Sequence, residues 1–305
     1  MLKSPHISKS PRISKSAWLL NVKWRSALGL LTLCMLLPVA GHASFLERLF
    51  APKVELWEYW QAHEPADDRK IDHTAWDDFL NKYTTMGEDG VIRVSYTNVT
   101  EADRASLQAY LDTLAALAIT GYSRHEQFAY WVNMYNALTV AVILDHYPVD
   151  GIRDIDISPG MFADGPWGKK LLEIEGEQVS LNDIEHRILR PIWQDPRIHY
   201  AVNCASIGCP NLYPEAYRAD NTERLLDNAA RAYVNHPRGA MIEDEQLTVS
   251  KIYSWFIDDF AVDGGVLPHL RRYAEPALLD ALTGFESPTW YEYDWSLNDQ
   301  SAAAE

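Results

Sequence analysis

Apolar residues recur along this chain with two rhythms, and each rhythm names an element. Trp76, Phe79, Leu80 and Tyr83 fall on one side of a short helix that Thr74 can cap, after which Asp89-Gly90 turns the chain into a strand-like run from Val91 to Tyr96. Thr100 opens a helix in which Leu107, Tyr110, Leu111, Leu114 and Leu117 return every three or four residues, the mark of one buried face. Ser123-Arg124-His125-Glu126 spells a capping box. The run after it, FAYWVNMYNALTVAVILDHY, is apolar nearly all round, which predicts a central helix to about Tyr147. Asn133 and Asn136 stand three apart on it, and a buried amide without hydrogen-bond partners costs about 1 to 3 kcal/mol.

The pattern then loosens. Gly151, Pro159-Gly160 and Gly165-Pro166 mark loops before a hairpin, Lys170 to Ile174 and Glu177 to Ser180, turning at Glu175-Gly176. Ser180 caps a short helix, Leu181 to Arg190, that Pro191 should stop. Ile198 to Asn203 reads as a buried strand, with His199, Ala201 and Asn203 on one face and Cys204 at its end. An amphipathic helix from about Thr222 to Asn235, a strand from Gln246 to Ser250 and the aromatic helix KIYSWFIDDF follow. With no internal repeat or low-complexity linker, the expected architecture is α+β: one helix-dominated globular domain with a small sheet.

The first 43 residues belong to a different class. Lys3, Lys9, Arg12, Lys15, Lys23 and Arg25 precede an apolar run at 27–40 too short to span a bilayer, and Gly41-His42-Ala43 supplies small residues for cleavage. A signal peptide cut after Ala43 is the expectation, with an uncleaved anchor as the competing reading. Residues 44–69 read as a lead-in that packs onto the domain, 70–299 as the domain and 300–305 as a disordered tail. Removing a segment with six basic residues and no acidic one takes the formal charge from −16 to −22. So acidic a surface repels nucleic acid and anionic headgroups, so neither a nucleic-acid partner nor a stable membrane span of the mature chain is expected. The place expected is periplasmic or secreted, where a nearby pair such as Cys204 and Cys209 forms a disulfide by default.

Five blocks stand in one order: YWVNMYNALTV (130–140), LNDIEHRILR (181–190), HYAVNCASIGCPNL (199–212), SKIYSWFIDDF (250–260) and YDWSLND (293–299). Together they resemble the family called domain of unknown function 547 over roughly residues 70–299. The resemblance implies the extent of the domain, in a family found in exported bacterial proteins and in plant and animal proteins. It implies no reaction.

The densest chemical neighbourhood is Glu185, His186, His199, Asn203, Cys204, Ser206 and Cys209. A thiol nucleophile needs a partner that lowers its pKa or takes its proton, and a histidine partner needs a carboxylate or amide to fix its tautomer. Cys204 before a sharp turn would sit beside free backbone N–H groups that could serve as an oxyanion hole. Glu185 and His186 point about 100° apart on a helix and cannot easily share one thiol, so Asn203 or Asp258 is the better orienter. A structural disulfide, a reactive thiol and a buried pair all stay open for Cys204 and Cys209, and His186 and His199 read equally as hydrogen-bonded structural residues. His186, His199, Cys204 and Cys209 are zinc-ligand types in no recognised spacing, so no metal is expected. The loop at Asp154 has Pro159 where a calcium loop needs glycine. No phosphate loop, dinucleotide fingerprint or serine-hydrolase elbow occurs, so no cofactor is expected. Asp258 and Asp259, as helix neighbours, face apart, and the tryptophans could line a groove or fill a core.

Two functional readings remain. One is a thiol-dependent Cys–His hydrolase or transferase of the cell envelope using Cys204, His186, Asn203 and Glu185, acting on a small molecule, peptide or envelope partner. The other is a non-catalytic binding or scaffold domain stapled by a Cys204–Cys209 disulfide. The polar load of Asn133, Asn136, Asn203, Glu185 and His186 on core-like segments favours the first.

Overall fold

A helix polar on one face needs a single neighbour, whereas one apolar all round must be enclosed, and the long helix at the centre of this chain is enclosed. The computed structural model describes residues 52–160 and 164–300; the expected signal segment and the tail from residue 301 lie outside them. Helix α1 (Thr74–Tyr83) packs against α2 (Glu101–Ala115), with Trp76 stacked on Tyr110, and α2 packs against α3 (Arg124–His146), of which residues 126–140 are all buried. The fold is α+β, largely helical with small sheets. Among the described residues no helix is long and apolar enough to cross a membrane.

Several local signals act differently from the expectation. Asp72, not Thr74, accepts the free N–H at the start of α1. The capping box before α3 does not form: Glu126 instead takes the backbone N–H of Ile71 and the ammonium of Lys70, tying the lead-in to the helix start. The box does form at Ser180, where Ser180 and Asp183 exchange hydrogen bonds. Strands β1 (Thr84–Met86) and β2 (Ile92–Val94) form one hairpin. β3 (Leu172–Ile174) and β4 (Glu177–Val179) form another, turning at Glu175 and Gly176, both at positive φ.

Pro191 does not stop the helix after Ser180. The stretch Asp183–Leu189 widens into a π-helix and runs into the α-turn Arg190–Trp193; the two together are α4. A proline cannot donate to the carbonyl four residues back and its ring crowds that carbonyl. Widening relieves the crowding, and the freed carbonyls find partners in the lead-in: Trp57 N–H donates to Arg187 and Glu55 N–H to His186.

Ile198–Ala201 is one helical turn, α5, rather than the expected strand, so His199 and Asn203 do not alternate on a common face. Asp195 accepts the N–H of Arg197 with its side chain and that of Ile198 with its carbonyl, and Pro196 is preset for a first helical turn. α6 (Thr222–Val234), α7 (Ile252–Trp255), α8 (Val266–Tyr273) and α9 (Pro276–Ala281) follow along the chain. The expected helix at 251–260 is thus only the turn α7, with a 3₁₀ segment Asp259–Asp263 beyond it.

A three-stranded sheet runs in the order β5 (Ala240–Glu243), β6 (Gln246–Ser250), β7 (Trp290–Glu292). β6 pairs antiparallel with β5 and parallel with β7, Ser250 opposite Glu292. That pairing aims the chain after β7 at the loop after α5: Gly208 N–H donates to Asp294, Ile207 to Ser296 and Asn298 to Ala205. The core has two clusters, one around α3 and one around α6, β6 and α8, and residues 198–205 contribute to both.

Candidate functional site

Side chains from both clusters line a cleft of about 650 Å³. One wall is aromatic. Tyr293 lies 4.8 Å from Trp255 and 4.7 Å from Trp295, ring centre to ring centre, and Trp167 lies 5.8 Å from Trp295. Glu185, His186, His199, Cys204 and Cys209 also line it, so the structure gathers five of the eight candidate residues into one cavity.

Asn133, Asn136 and Asn203 do another job. Asn136 donates to the carbonyl of Ala201 and accepts from the N–H of Asn203, and Asn133 holds Tyr217 by the same pair of bonds. Each amide mimics a strand partner for a loop that has none, which satisfies the buried backbone. Asn203 accepts from Ala205 N–H and donates to the carbonyl of Pro210, spanning the loop that carries both cysteines. It orients no histidine, contrary to expectation.

Ala205 stands at φ 60, a conformation that strains a residue with a Cβ. The surrounding loop over-determines it: Tyr233 donates to the carbonyl of Gly208, and Arg238 to those of Ile207 and Cys209. The loop's N–H groups are also used. Those of Cys204, Ala205, Ile207, Gly208 and Cys209 all donate within the protein, so the expected oxyanion hole of free N–H groups is not built from them.

Both cysteines are free thiols, with Sγ atoms 2.7 Å apart. Cys204 Sγ also lies 3.2 Å from the Ser206 hydroxyl and 3.0 Å from the Tyr293 hydroxyl. Burial pushes the Cys204 thiol up, but donation from Cys209, Ser206 and Tyr293 outweighs it and holds the thiol below its ordinary value. Burial and the neighbouring sulfur push Cys209 well above its own. The first proton to leave the pair is therefore that of Cys204.

No histidine nitrogen reaches the sulfur among the described residues, which corrects the expected Cys204–His186 pair. The histidines belong to a buried ionic network. His199 Nε2 lies 2.7 Å from Asp259, and Arg190 donates twice to the same carboxylate. Arg190 and His199 hold Asp259 below the carboxylate range against the effect of its burial. Asp259, not Asp258, is the carboxylate of this network; in an Asp-Asp pair only the packing shows which one meets the arginine.

Arg190 also donates to His186 Nδ1 at 3.0 Å. A guanidinium has no lone pair and keeps its protons, so Nδ1 must be the acceptor and His186 must be the neutral Nε2–H tautomer. Burial and the arginine both lower its pKa. His186 therefore offers a donor to the cleft, not a base. Burial lowers His199 as well, against the pull of Asp259.

Glu185 Oε1 lies 3.8 Å from Nδ1 of both His186 and His199. Burial raises its pKa to about 7, with Arg190 and the Tyr135 hydroxyl pulling the other way. Glu185 and His186, though adjacent, line one cavity, because a π-turn leaves a smaller angle between successive side chains than an α-turn. Near neutral pH the cleft thus holds an acid that can give up a proton, a fixed donor and a polarised thiol. No group of three or more His, Cys, Asp or Glu among the described residues is placed to hold a metal ion.

No curated protein and no solved structure matches this chain. Residues 119–234 match the model of a family described as protein of unknown function, DUF547. The match takes in α3, Glu185, His186, His199 and both cysteines and leaves out Asp259 and Tyr293, so the blocks at 250–260 and 293–299 lie beyond it. Over this segment the chain is similar to the family of domain of unknown function 547.

Proposed function

We propose that the chain is a thiol-dependent group-transfer enzyme, a transferase that acts as a hydrolase when water is the acceptor, with Cys204 as its nucleophile. One observation carries the reading: the Cys204 sulfur lines an aromatic cleft within 3.2 Å of three donors, Cys209, Ser206 and Tyr293. Such donors stabilise a thiolate without a histidine base. The thiolate attacks the electrophilic centre of a small molecule or peptide laid along Trp255, Tyr293 and Trp295. The Nε2–H of His186 faces charge that develops on the substrate, and Glu185, protonated below about pH 7, supplies a proton to the leaving group. We propose further that the chain works outside the cytoplasm, exported by its first 43 residues.

The test is the pH dependence of Cys204 alkylation by iodoacetamide on the reduced protein, with the modified cysteine identified by peptide mapping. A rate that levels off clearly below the ordinary thiol range, about pH 8.5, and vanishes in Cys204→Ala supports the reading. A Cys204 that titrates like a free cysteine, or stays inert, refutes it and leaves a non-catalytic binding domain as the better account. Export is checked by sequencing the amino terminus of the mature protein.

A further inference from the structure

We infer that the substrate of this site is an organic disulfide with uncharged or cationic, apolar flanks, and that Cys209 is the resolving thiol. The inference rests on Cys204 being the nucleophile, and it takes the group transferred to Cys204 to be a thiol half of a disulfide, released by Cys209 in place of water. It comes from what a second thiol does when held 2.7 Å from the first. An acyl group on Cys204 would only pass back and forth to Cys209 by thioester exchange, so the second thiol adds nothing to acyl transfer. A mixed disulfide on Cys204, in contrast, is what a neighbouring thiol releases.

The loop holds the pair for that sequence. Both line the cleft, Cys204 half-buried and Cys209 buried beside it. The backbone N–H of Cys204 donates to Cys209 Sγ at 2.9 Å and steadies charge there as Cys209 attacks. Fixing both sulfurs on one constrained loop makes the second attack intramolecular, the arrangement that raises effective concentration most.

In the first step the Cys204 thiolate attacks one sulfur of R–S–S–R′. The Cys204–S–R bond forms, the S–S bond breaks and R′S⁻ leaves, taking a proton from Glu185 or water. In the second, Cys209 gives its proton to the carboxylate or to water and attacks Cys204 Sγ. The Cys204–Cys209 disulfide forms and RS⁻ leaves. The substrate gains two electrons and the protein loses two, and an external dithiol, protein or small molecule, returns the site to its reduced form.

The surroundings restrict R. Trp167, Trp255, Tyr293 and Trp295 favour flat or apolar flanks, and among the described residues the one guanidinium lining the cleft, Arg153, is paired with Asp164. With a formal charge of −16 on the chain, an anionic disulfide is repelled.

The experiment uses the reduced full chain carrying Cys34→Ser, which removes the one other cysteine, and neutral dithiodipyridine as probe. Release of two equivalents of pyridinethione per chain is expected. The second should appear at a rate independent of probe concentration and leave a Cys204–Cys209 disulfide without adduct by mass spectrometry. Cys209→Ser should stop at one equivalent with a stable mixed disulfide at Cys204, and the dianionic dithiobisnitrobenzoate should react at least tenfold more slowly. A wild-type chain that keeps the adduct on Cys204, or whose second release rises with probe concentration, overturns the disulfide inference while leaving Cys204 as a nucleophile. A Cys204 that fails to react overturns both.

Discussion

Replacing Glu185 by glutamine keeps the shape of a protonated carboxyl and removes its ionisation. Glu185 is buried, and its pKa rises from 4.5 to about 7. At 1.36 kcal/mol per tenfold change in proton affinity, that difference is roughly 3 kcal/mol. The sign follows from the direction. A carboxyl raised in the fold stabilises it fully below pH 4.5, and the contribution is lost as the pH climbs to about 7. His186 and His199, lowered by burial, act oppositely: they stay neutral in the fold while the unfolded chain takes up protons below about pH 6.5. The absolute stability curve of the wild type mixes both trends. The difference between Glu185→Gln and wild type does not, because the histidines are common to both. Urea unfolding followed by circular dichroism should show the two proteins nearly equal at about pH 4.5 and the variant more stable by about 3 kcal/mol at about pH 8. In thermal melts this corresponds to about 6 to 12 °C at the higher pH. A difference that stays flat across this window refutes the burial argument for Glu185.

Three further outcomes are expected. Tyr293→Phe and Ser206→Ala each remove one donor from the Cys204 thiolate; at about 1.5 to 3 kcal/mol per charged hydrogen bond, the inflection of the alkylation profile should rise by about one to two pH units. An inflection that does not move would show that the hydroxyls do not act on the sulfur. Arg190→Met leaves Asp259 buried without its arginine and should cost about 3 to 5 kcal/mol in urea melts, with Arg190→Lys recovering little because lysine lacks the fork. NMR should then find His186 titrating at higher pH, and an unchanged His186 would contradict the assigned tautomer. Asn136→Ala unpairs the carbonyl of Ala201 and the N–H of Asn203; a loss of about 2 to 5 kcal/mol, with slower release of the second thione equivalent, would separate this loop-holding role from a merely exposed amide.

What the sequence determined by itself is whatever depends on neighbours in the chain. The all-round apolarity after Ser123 made a buried central helix, the three-four spacing after Thr100 made α2, and Glu175-Gly176 made a hairpin, because period and turn chemistry act over a few residues. The neighbourhood of Glu185, His186, His199, Cys204 and Cys209 was legible too, as polar groups on apolar segments. What only the tertiary structure decided is who partners whom. Pro191 reads as a stop until the lead-in takes the carbonyls it frees, and Ile198–Ala201 reads as a strand until Asp195 and Pro196 start a turn. Asp259 rather than Asp258 meets Arg190, and that arginine makes His186 a donor rather than a base. Tyr293 reaches Cys204 only because β7 pairs parallel with β6. Hydrogen bonds and ion pairs reach about 3 Å through space whatever their separation in sequence, so the activation of the thiol was set by residues 89 positions apart.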